Sequence, residues 1–572
     1  MPPPPNPLTG NLSGVVLLIL IIAVPLALLT SIALLAFYRR AVLRVMRTRA
    51  QAGMSEPAPP ETSGASQPPV QTPLNIVLRN STLDPSQSSA SETLFADLLR
   101  GPWRAAAIYT LAGLCYALVT TTIFLVATKS GFHPLNAMMI FWYYAWPVVI
   151  TILVVAAATW RTRLSVLAIY FLIIIVLGTI TLIQKASIDW ARVVLLWFLT
   201  NLPATLLLLV FLNRRIQAVG PLVLTFMIFA VTGVVFLPPF IVFNEKLILP
   251  IIEIGEALGL GALGIFFAIL VGSLIGFGAI GWLMLQGIRS LYQRGKISAQ
   301  SITIDAIWLL FGIIQSVDLI FVGERWFFVS LLAFLVFKIV AWVGFSIAGR
   351  NTPASRKHPS LLLLRVFSLG KRSERLFDML AMYWRYAGSI RLIAGPDLAT
   401  ATVEPHEFLD FVSGKLSRRF IDNARTLELR VSEIDLQPDR DGQFRVNDFF
   451  CYDNTWRLVL SRLVDRSDVV VMDLRGFSAQ NAGCIFEISE LINMMPLGQV
   501  LFIIDETTDE PFLRQVIQQS WEHMRPASPN RLPASGLVQL FHLNGLHDRE
   551  FKQLLRVLSV AANEVPKTQA FA

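Results

Sequence analysis

The sequence predicts an all-α transmembrane bundle joined to a C-terminal α/β domain whose sheet is mostly parallel. Of the 572 residues, 54% are hydrophobic and only 15% are charged, whereas soluble domains carry about 25% charged residues. Long apolar runs fill the chain up to about Ile347, and shorter apolar runs alternate with amphipathic stretches from about Ser360 onward. The first pattern is typical of bilayer-spanning helices, and the second is typical of alternating strands and helices.

Nine apolar runs approach or exceed the roughly 20 residues that a bilayer-spanning helix needs. They are Val15–Phe37, Trp103–Thr128, Leu135–Thr159, Leu164–Ile183, Ala191–Leu212, Pro221–Phe243, Ala257–Met284, Ile302–Val322 and Trp326–Ile347. Arginine and lysine concentrate in alternate loops, beginning with the cluster between Arg39 and Arg49. Cytoplasmic loops carry such an excess of positive charge. The alternation holds across all nine runs and predicts an external N-terminus and a cytoplasmic C-terminal domain.

The same patterns divide the chain into segments. Residues 1–14 form an uncharged external tail and residues 15–37 an uncleaved anchor, because the arginine cluster follows the apolar core instead of preceding it as in a signal peptide. Residues 38–102 are predicted to be a disordered, Pro- and Ser-rich cytoplasmic linker in which Pro73–Leu83 could hold a short docked segment. An eight-helix bundle (103–348), a basic juxtamembrane linker (349–359), the α/β domain (360–565) and a tail (566–572) complete the chain.

Composition argues against two classes of ligand. The net charge of +9 is explained by cytoplasmic loops that face an anionic lipid surface, and the basic patches are too short and scattered to indicate nucleic-acid binding. The lipid bilayer is therefore the partner that the charge predicts. Cys115, Cys451 and Cys484 have no Cys-x-x-Cys pairing and no ligand spacing to histidine, so no metal site is predicted. His406 and His523 lack a Ser or Cys partner for a hydrolase triad.

Three charged residues lie more than two residues inside a predicted span, namely Asp305, Asp318 and Lys338. Charges within a bilayer are costly and often functional. Lys338 could reach toward either acid, although neither lies at a well-matched depth. The functional interpretation is an ion or proton path, and the alternative is a structural pair or a lysine whose stem reaches a polar boundary. The spacing Gly272-x-x-x-Gly276 predicts tight helix packing within the bundle.

The C-terminal part alternates predicted strands and helices, which is typical of a parallel sheet covered on both faces. The predicted strands are Leu361–Phe367, Ile390–Ile393, Leu427–Val431, Asp468–Met472, Val500–Ile504 and Leu537–Leu543. The predicted helices are Ser373–Tyr386, Pro405–Ser413, Thr455–Asp465, Cys484–Met494, Glu510–His523 and Asp548–Ala562. Ligands of such folds bind at the carboxyl ends of strands, so the loops after the strands are the candidate binding segments.

Two of these loops have residues suited to a phosphate. The loop Ser368–Ser373 contains a glycine, two cations and a hydroxyl just before a predicted helix, and a helix N-terminus favours anions. Arg372 is one of the cations and Ser373 is a good N-cap. Gly395 lies in a similar turn after the second strand. Neither loop has a dinucleotide-binding or P-loop glycine spacing, so an ordinary capped turn is the alternative.

The segment after the fourth predicted strand has a more specific pattern. The strand ends in Asp473-Leu-Arg-Gly-Phe477, a polar loop follows, Gly483-Cys-Ile-Phe-Glu487-Ile opens a helix, and the next strand ends at Asp505. This order resembles the Toll/interleukin receptor (TIR) family of flavodoxin-like domains, in which the helix opens with a small residue or Cys, an apolar residue and Glu. The first box of that family resembles Leu362–Phe377. The stretch Ala399–Asn454 is longer than a compact family member needs.

The resemblance implies a nucleotide ligand and a possible activity. In family members that cleave NAD, the residue that matches Glu487 is the catalytic Glu beside the nicotinamide ribose, and such enzymes act when clustered, which implies a homo-oligomer. The candidate residues for binding NAD or a related nucleotide are Arg372, Ser373, Gly395, Asp473 and Asp505. A chain of many spans followed by such a domain looks like a set of bacterial membrane proteins. Together with the loop charges, this implies the bacterial inner membrane.

The chemistry leaves three functional hypotheses. Because nicotinamide is a good leaving group, a single carboxylate suffices for its release, whereas ordinary glycosides need two. The alternative for Glu487 is a first-turn acid favoured by the helix dipole, and the alternative for Asp473 and Asp505 is loop capping. The chain is thus a signalling or defence-type effector that cleaves NAD, a non-enzymatic nucleotide sensor or scaffold, or a transporter or channel regulated by its cytoplasmic domain.

Overall fold

The computed structural model describes residues 29–42, 44–45, 74–79, 89–129, 132–157, 159–183, 190–211, 219–242, 244–320, 324–350, 358–366, 371–394, 405–414, 416–452, 455–531 and 536–564. These residues form two compact units. The first consists mainly of residues 106–346, and the second combines residues 38–105, 347–402 and 410–572.

The first unit is helical throughout its described part. Its helices, the first of which begins in the second unit, are Ser89–Ala127, Pro134–Tyr144, Trp146–Val155, Trp160–Ile183, Trp190–Phe211, Gly220–Val242, Glu245–Ala257, Ala262–Gln293, Ala299–Ile320, Glu324–Ser330 and Leu332–Arg350. Among the described residues, six helical segments are long and apolar enough to cross a membrane. The predicted spans around Trp190–Phe211 and Gly220–Val242 are also helical. Most of the predicted first span lies outside the described residues, so the count of nine and the orientation stay predictions.

One packing prediction in this unit is wrong for the part of the chain that the structure describes. A Cβ atom added to Gly272 or to Gly276 would meet no atom within 4 Å, and both glycines are exposed. The Gly-x-x-x-Gly pair therefore does not pack against a described helix of its own bundle. By contrast, a Cβ on Gly113 would lie 2.5 Å from the Trp308 ring, so this glycine provides the close helix approach.

The second unit is built on a sheet of eight parallel strands, in the order β1-β8-β7-β6-β2-β3-β5-β4. The strands are β1 (Leu74–Leu78), β2 (Leu361–Arg365), β3 (Ile390–Ala394), β4 (Phe420–Ile421), β5 (Val446–Cys451), β6 (Val469–Asp473), β7 (Val500–Ile504) and β8 (Gly536–His542). Its helices after β2 are Lys371–Trp384, Ala424–Ser432, Trp456–Asp465, Ala482–Met494, Glu510–Glu522 and Asp548–Ala561, with Pro405–Val412 at the unit boundary. Every residue of β2, β3, β6 and β7 is buried, as apolar strands covered on both faces should be.

The strand order reverses direction at β2. The chain continues from β2 to β3 on one side, whereas β6 lies on the other side of β2 and is followed outward by β7 and β8. In open α/β sheets the crevice at such a reversal is where ligands bind. The last residues of the two strands that flank the reversal, Arg365 and Asp473, are register partners.

Five of the six predicted strands and all six predicted helices of this part are confirmed to within two residues at their ends, and one element is wrong. The predicted strand Leu427–Val431 belongs to the helix Ala424–Ser432, because Asn423 closes a capping box with Thr426 at its start. The long stretch before Asn454 contains β4 and β5, which were not predicted because the sequence there shows no alternation of apolar and polar residues. These strands extend the sheet beyond β3.

The predicted disordered linker 38–102 is wrong for two of its pieces. Residues 38–42 and 44–45 are helical, as are the residues from Ser89 onward. The docked segment expected within Pro73–Leu83 is β1, which pairs in parallel with β8 from Leu74↔Gly536 to Leu78↔Leu540. Because Leu74 and Ile76 pack against the core of the α/β domain, this segment is an integral edge of the sheet.

Candidate functional site

Asp473 is the centre of a buried polar cluster at the β2–β6 reversal. Arg475 clamps its carboxylate with two hydrogen bonds of 2.7 Å, from Nε to Oδ1 and from Nη2 to Oδ2. Ser373 Oγ donates to the same Oδ2 at 3.2 Å. Asp473, Arg475 and Ser373 are all buried. An ion pair with hydrogen bonds of this kind offsets the free-energy cost of burying charges. The cluster joins the end of β6 to the start of the helix Lys371–Trp384.

A second ion pair lies beside the first. The guanidinium of Arg372 pairs with Oδ2 of Asp505, the residue that follows β7, and Arg372 Nη1 donates to Thr507 Oγ1 at 3.3 Å. Arg475 Nη2 also donates to the backbone carbonyl oxygen of Arg372 at 3.1 Å. The carboxyl ends of β6 and β7 are thereby connected to one helix start.

The loops that carry these acids are fixed to each other. Leu474 N donates to Ile503 O at 2.8 Å, Thr508 Oγ1 donates to Leu474 O at 3.0 Å, and Asp509 N donates to Phe477 O at 2.9 Å. Gly476 turns the first loop with a φ of +72°, a conformation that residues with a Cβ rarely adopt. The site is therefore pre-organised by backbone contacts.

Glu487 occupies a core position of the helix Ala482–Met494. Cys484, Ile488 and Leu491 belong to the hydrophobic core, and Glu487 shares their stripe because positions 484, 487, 488 and 491 follow helical spacing. Its side chain is only 2% exposed, and Oε2 has no hydrogen-bond partner among the described residues. Because a buried unpaired acid is destabilising, its presence on this stripe requires an explanation other than packing.

The electrostatics place Glu487 beside the cluster around Asp473. Burial raises the pKa of Glu487 to about 8, and the positive charge of Arg365 partly offsets this rise. Burial also raises the pKa of the Cys484 thiol, and the negative charges of Glu487 and Asp473 raise it further. Cys484 Sγ lies 4.0 Å from the backbone carbonyl oxygen of Arg365. Glu487, Arg365 and Asp473 thus share one electrostatic neighbourhood.

The interpretation of Glu487 as a first-turn acid is wrong. The helix begins at Ala482 and has no acid in its first turn, so Glu487 lies too far along to be a first-turn acid that the dipole selects. Glu490, three residues later and also buried, shows what a structural acid looks like here. It pairs with Arg525 and accepts from Ser461 Oγ at 3.4 Å.

Sequence reasoning found most of the cluster and missed its other arginines. The structure brings Arg372, Ser373, Asp473 and Asp505 together, while Gly395 lies outside the described residues. Arg365 was not predicted to lie at the end of its strand, because that strand was expected to continue to Phe367. Arg475 stood in the Asp-Leu-Arg-Gly-Phe segment, but only three-dimensional proximity shows that it clamps Asp473. No three histidine, cysteine or acidic residues are grouped for a metal among the described residues.

In the first unit, Lys338 pairs with one of its two possible acids. Lys338 Nζ lies 2.5 Å from Asp305 Oδ2, whereas the side chain of Asp318 is outside the described part of the chain. A separate buried chain of hydrogen bonds runs from Tyr116 Oη to Gln315 Oε1 at 2.9 Å and from Gln315 Nε2 to Asn201 Oδ1 at 3.3 Å. These direct contacts favour structural pairing of helices over a lined path.

Comparisons with protein-family models, with curated proteins and with solved structures each find no match. The TIR resemblance therefore stays a prediction that rests on the segments around Asp473 and Glu487.

Proposed function

We propose that the α/β domain binds NAD or a related nucleotide at the β2–β6 reversal and cleaves its nicotinamide–ribose bond with Glu487, as part of a signalling or defence-type effector of a bacterial inner membrane. The observation that carries this proposal is that Oε2 of the buried Glu487 has no hydrogen-bond partner in the part of the chain that the structure describes. Asp473 and Asp505 are already paired with Arg475 and Arg372. Glu487 is therefore the acid of this cluster with a carboxylate oxygen left to contact a ligand.

One carboxylate is sufficient for the reaction. As the bond between ribose C1′ and the nicotinamide nitrogen breaks, the bonding electrons neutralise the pyridinium ring and positive charge develops at C1′. An ionised Glu487 beside C1′ stabilises that oxocarbenium-like centre. Water then adds to C1′ and loses a proton to solvent, so the products are nicotinamide, ADP-ribose and H⁺. No acid is needed for the leaving group, unlike ordinary glycoside hydrolysis.

The raised pKa of Glu487 fits a substrate whose nicotinamide ring is positively charged. Without a ligand, a pKa of about 8 keeps most of this carboxyl group protonated at pH 7. A positively charged nicotinamide ring bound beside it favours the ionised form, since a nearby opposite charge lowers the pKa of an acid. Binding of the oxidised nucleotide is then coupled to ionisation of the group that stabilises the transition state.

The phosphates of the nucleotide are assigned to the start of the helix Lys371–Trp384. Arg372 supplies an arginine there, and a guanidinium matches the geometry of phosphate oxygens. The N-terminus of a helix also favours an anion. Ser373 stays bonded to Asp473 and fixes the position of this turn relative to Glu487.

The pairing of β1 with β8 supports the proposed topology. Both strands lie in one sheet, so residues 74–78 and the C-terminal domain are on the same side of the membrane. The chain between them must then cross the bilayer an even number of times, which agrees with eight spans after the first anchor. The positive charge of the loops assigns that side to the cytoplasm.

NAD consumption by the full chain in lipid nanodiscs tests the proposed activity, and liposomes at high protein density test the need for clustering. Wild type is compared with Glu487→Gln and with Glu490→Gln, a matched change of a buried acid on the same helix. We expect turnover in wild type and in Glu490→Gln and none in Glu487→Gln. Absence of turnover by the folded wild type in both formats would reject the enzyme and leave the nucleotide-sensing role.

A further inference from the structure

The geometry points to a built-in competitor at this site: Asp505 holds the phosphate-binding face of Arg372 until a nucleotide diphosphate displaces it. The inference rests on the proposed function only in taking the ligand to be a nucleotide. It adds a regulatory contact that sets the affinity of the site.

The two carboxylate oxygens of Asp505 have separate partners. Oδ1 accepts hydrogen bonds from Thr507 N at 3.0 Å and from Thr507 Oγ1 at 2.6 Å, which hold the loop after β7. Oδ2 faces Arg372. Loss of the arginine therefore leaves the loop contacts of Asp505 in place.

Arg372 is able to move away while its backbone stays fixed. Its side chain is 47% exposed, whereas the side chain of Asp505 is 5% exposed. The carbonyl oxygen of Arg372 accepts from the buried Arg475, so the backbone is anchored to the Asp473 cluster. Among the described residues, the guanidinium is connected to the protein by side-chain bonds to Asp505 and to Thr507.

A diphosphate can take the place of Asp505 on the guanidinium of Arg372. Both the carboxylate and the diphosphate are anions, and both accept paired hydrogen bonds from a guanidinium. Because the ligand must first displace the carboxylate, its apparent affinity equals its intrinsic affinity multiplied by the fraction of molecules in which Arg372 is free. Removal of the competing charge should therefore tighten binding.

ADP-ribose is the probe, because it carries the diphosphate and lacks the nicotinamide bond. Its binding is measured by calorimetry on the full chain in nanodiscs. In Asp505→Asn, the asparagine oxygen still accepts from Thr507 while the negative charge is lost, and we expect the Kd to fall roughly 3- to 10-fold. In Arg372→Gln the Kd should rise about tenfold or more. The double variant should bind like Arg372→Gln, because Asp505 acts only through that arginine.

Glu510→Gln is the matched control, since it breaks the exposed Arg514–Glu510 pair on the neighbouring helix and should leave the Kd unchanged. An unchanged or raised Kd in Asp505→Asn would overturn the inference, because Asp505 would then be neutral or would hold Arg372 in its binding position. Absence of ADP-ribose binding in every variant would also overturn it. If the expected changes in Kd are observed but NAD is not cleaved, only the proposed catalytic activity is rejected. Glu487→Gln should still bind ADP-ribose.

Discussion

Glu487 and Glu490 lie three residues apart on one buried helix, and they differ in how their charges are satisfied. Glu490 pairs with Arg525, whereas Oε2 of Glu487 has no hydrogen-bond partner among the described residues. A fold that needed only packing would have an apolar residue at position 487, beside the core residues Ile488 and Leu491. The proposed contact with a ligand would account for the difference at Glu487.

The stability of the α/β domain should therefore depend on pH through Glu487. Folding raises the pKa of this acid from 4.5 to about 8, so the folded state binds the proton more tightly than the unfolded state. Stability is full below pH 4.5 and is lost as the pH rises toward and through 8. Glu487→Gln should remove this dependence and make the domain more resistant to heat than wild type at pH 8.5.

The measurement is the temperature at which a protease begins to cleave the C-terminal domain of the full chain. Glu490→Gln is the comparison, because it changes a buried acid of the same helix that is paired with Arg525 and should lower stability by about 1 kcal/mol or less. Equal melting of wild type and Glu487→Gln at pH 8.5 would show that Glu487 is not a buried, protonated acid.

The Asp473–Arg475 clamp predicts strong coupling between two buried charges. Arg475→Met removes both guanidinium hydrogen bonds to Asp473 and leaves its carboxylate with Ser373 Oγ and the backbone N–H of residue 475 as donors. Loss of one partner of a buried pair costs about 3–5 kcal/mol. Asp473→Leu combined with Arg475→Met should recover much of that loss. The same protease assay measures both effects, and an additive double variant would contradict the clamp.

The ion pair Lys338–Asp305 predicts a similar result in the membrane unit. Lys338→Met should lower the thermal stability of the detergent-purified protein, because it leaves Asp305 without its cation within a span. Adding Asp305→Asn should restore part of it. Equal loss in the single and double variants would show that the charges do not stabilise each other.

The pairing of β1 with β8 predicts that two exposed positions, one on β1 and one in the C-terminal domain, lie on the same side of the membrane. Single cysteines at Asn75 on β1 and at Gln518 on the helix Glu510–Glu522, both exposed, should react with a membrane-impermeant maleimide only after the cells are permeabilised. Labelling of one position in intact cells and not of the other would contradict the even number of crossings.

The sequence predicted the α/β domain well where apolar runs were short and continuous. The run Val469–Met472 is β-branched except for its last residue and could only be a buried strand. The segment Leu427–Val431 was wrongly predicted to be a strand because its apolar residues also fit a helix face. The capping by Asn423 is a local feature that the alternation of apolar residues does not reveal. The strands β4 and β5 were missed because they lie among polar loops.

The acids of the site could be predicted from the sequence, whereas the arginine with which each acid pairs could not. Asp473, Asp505 and Glu487 were visible at the ends of strands or at the opening of a helix. Their roles were not, because the choice of Arg475 for Asp473 and of Arg372 for Asp505 depends on loops that only the folded sheet brings together. The burial of Glu487 likewise follows from the stripe that it shares with Cys484 and Leu491, which becomes clear once the helix start at Ala482 is known.

The most direct test of the central claim is the pH dependence of kcat/KM for NAD cleavage by the full chain. This ratio reports the ionisation of groups in the free enzyme, and Glu487 must be ionised to stabilise the transition state. With a pKa of about 8, kcat/KM should rise about tenfold per pH unit below that value and level off above it, and Glu487→Gln should be inactive throughout. A profile that is flat between pH 6 and 8, or activity retained in Glu487→Gln, would contradict the account.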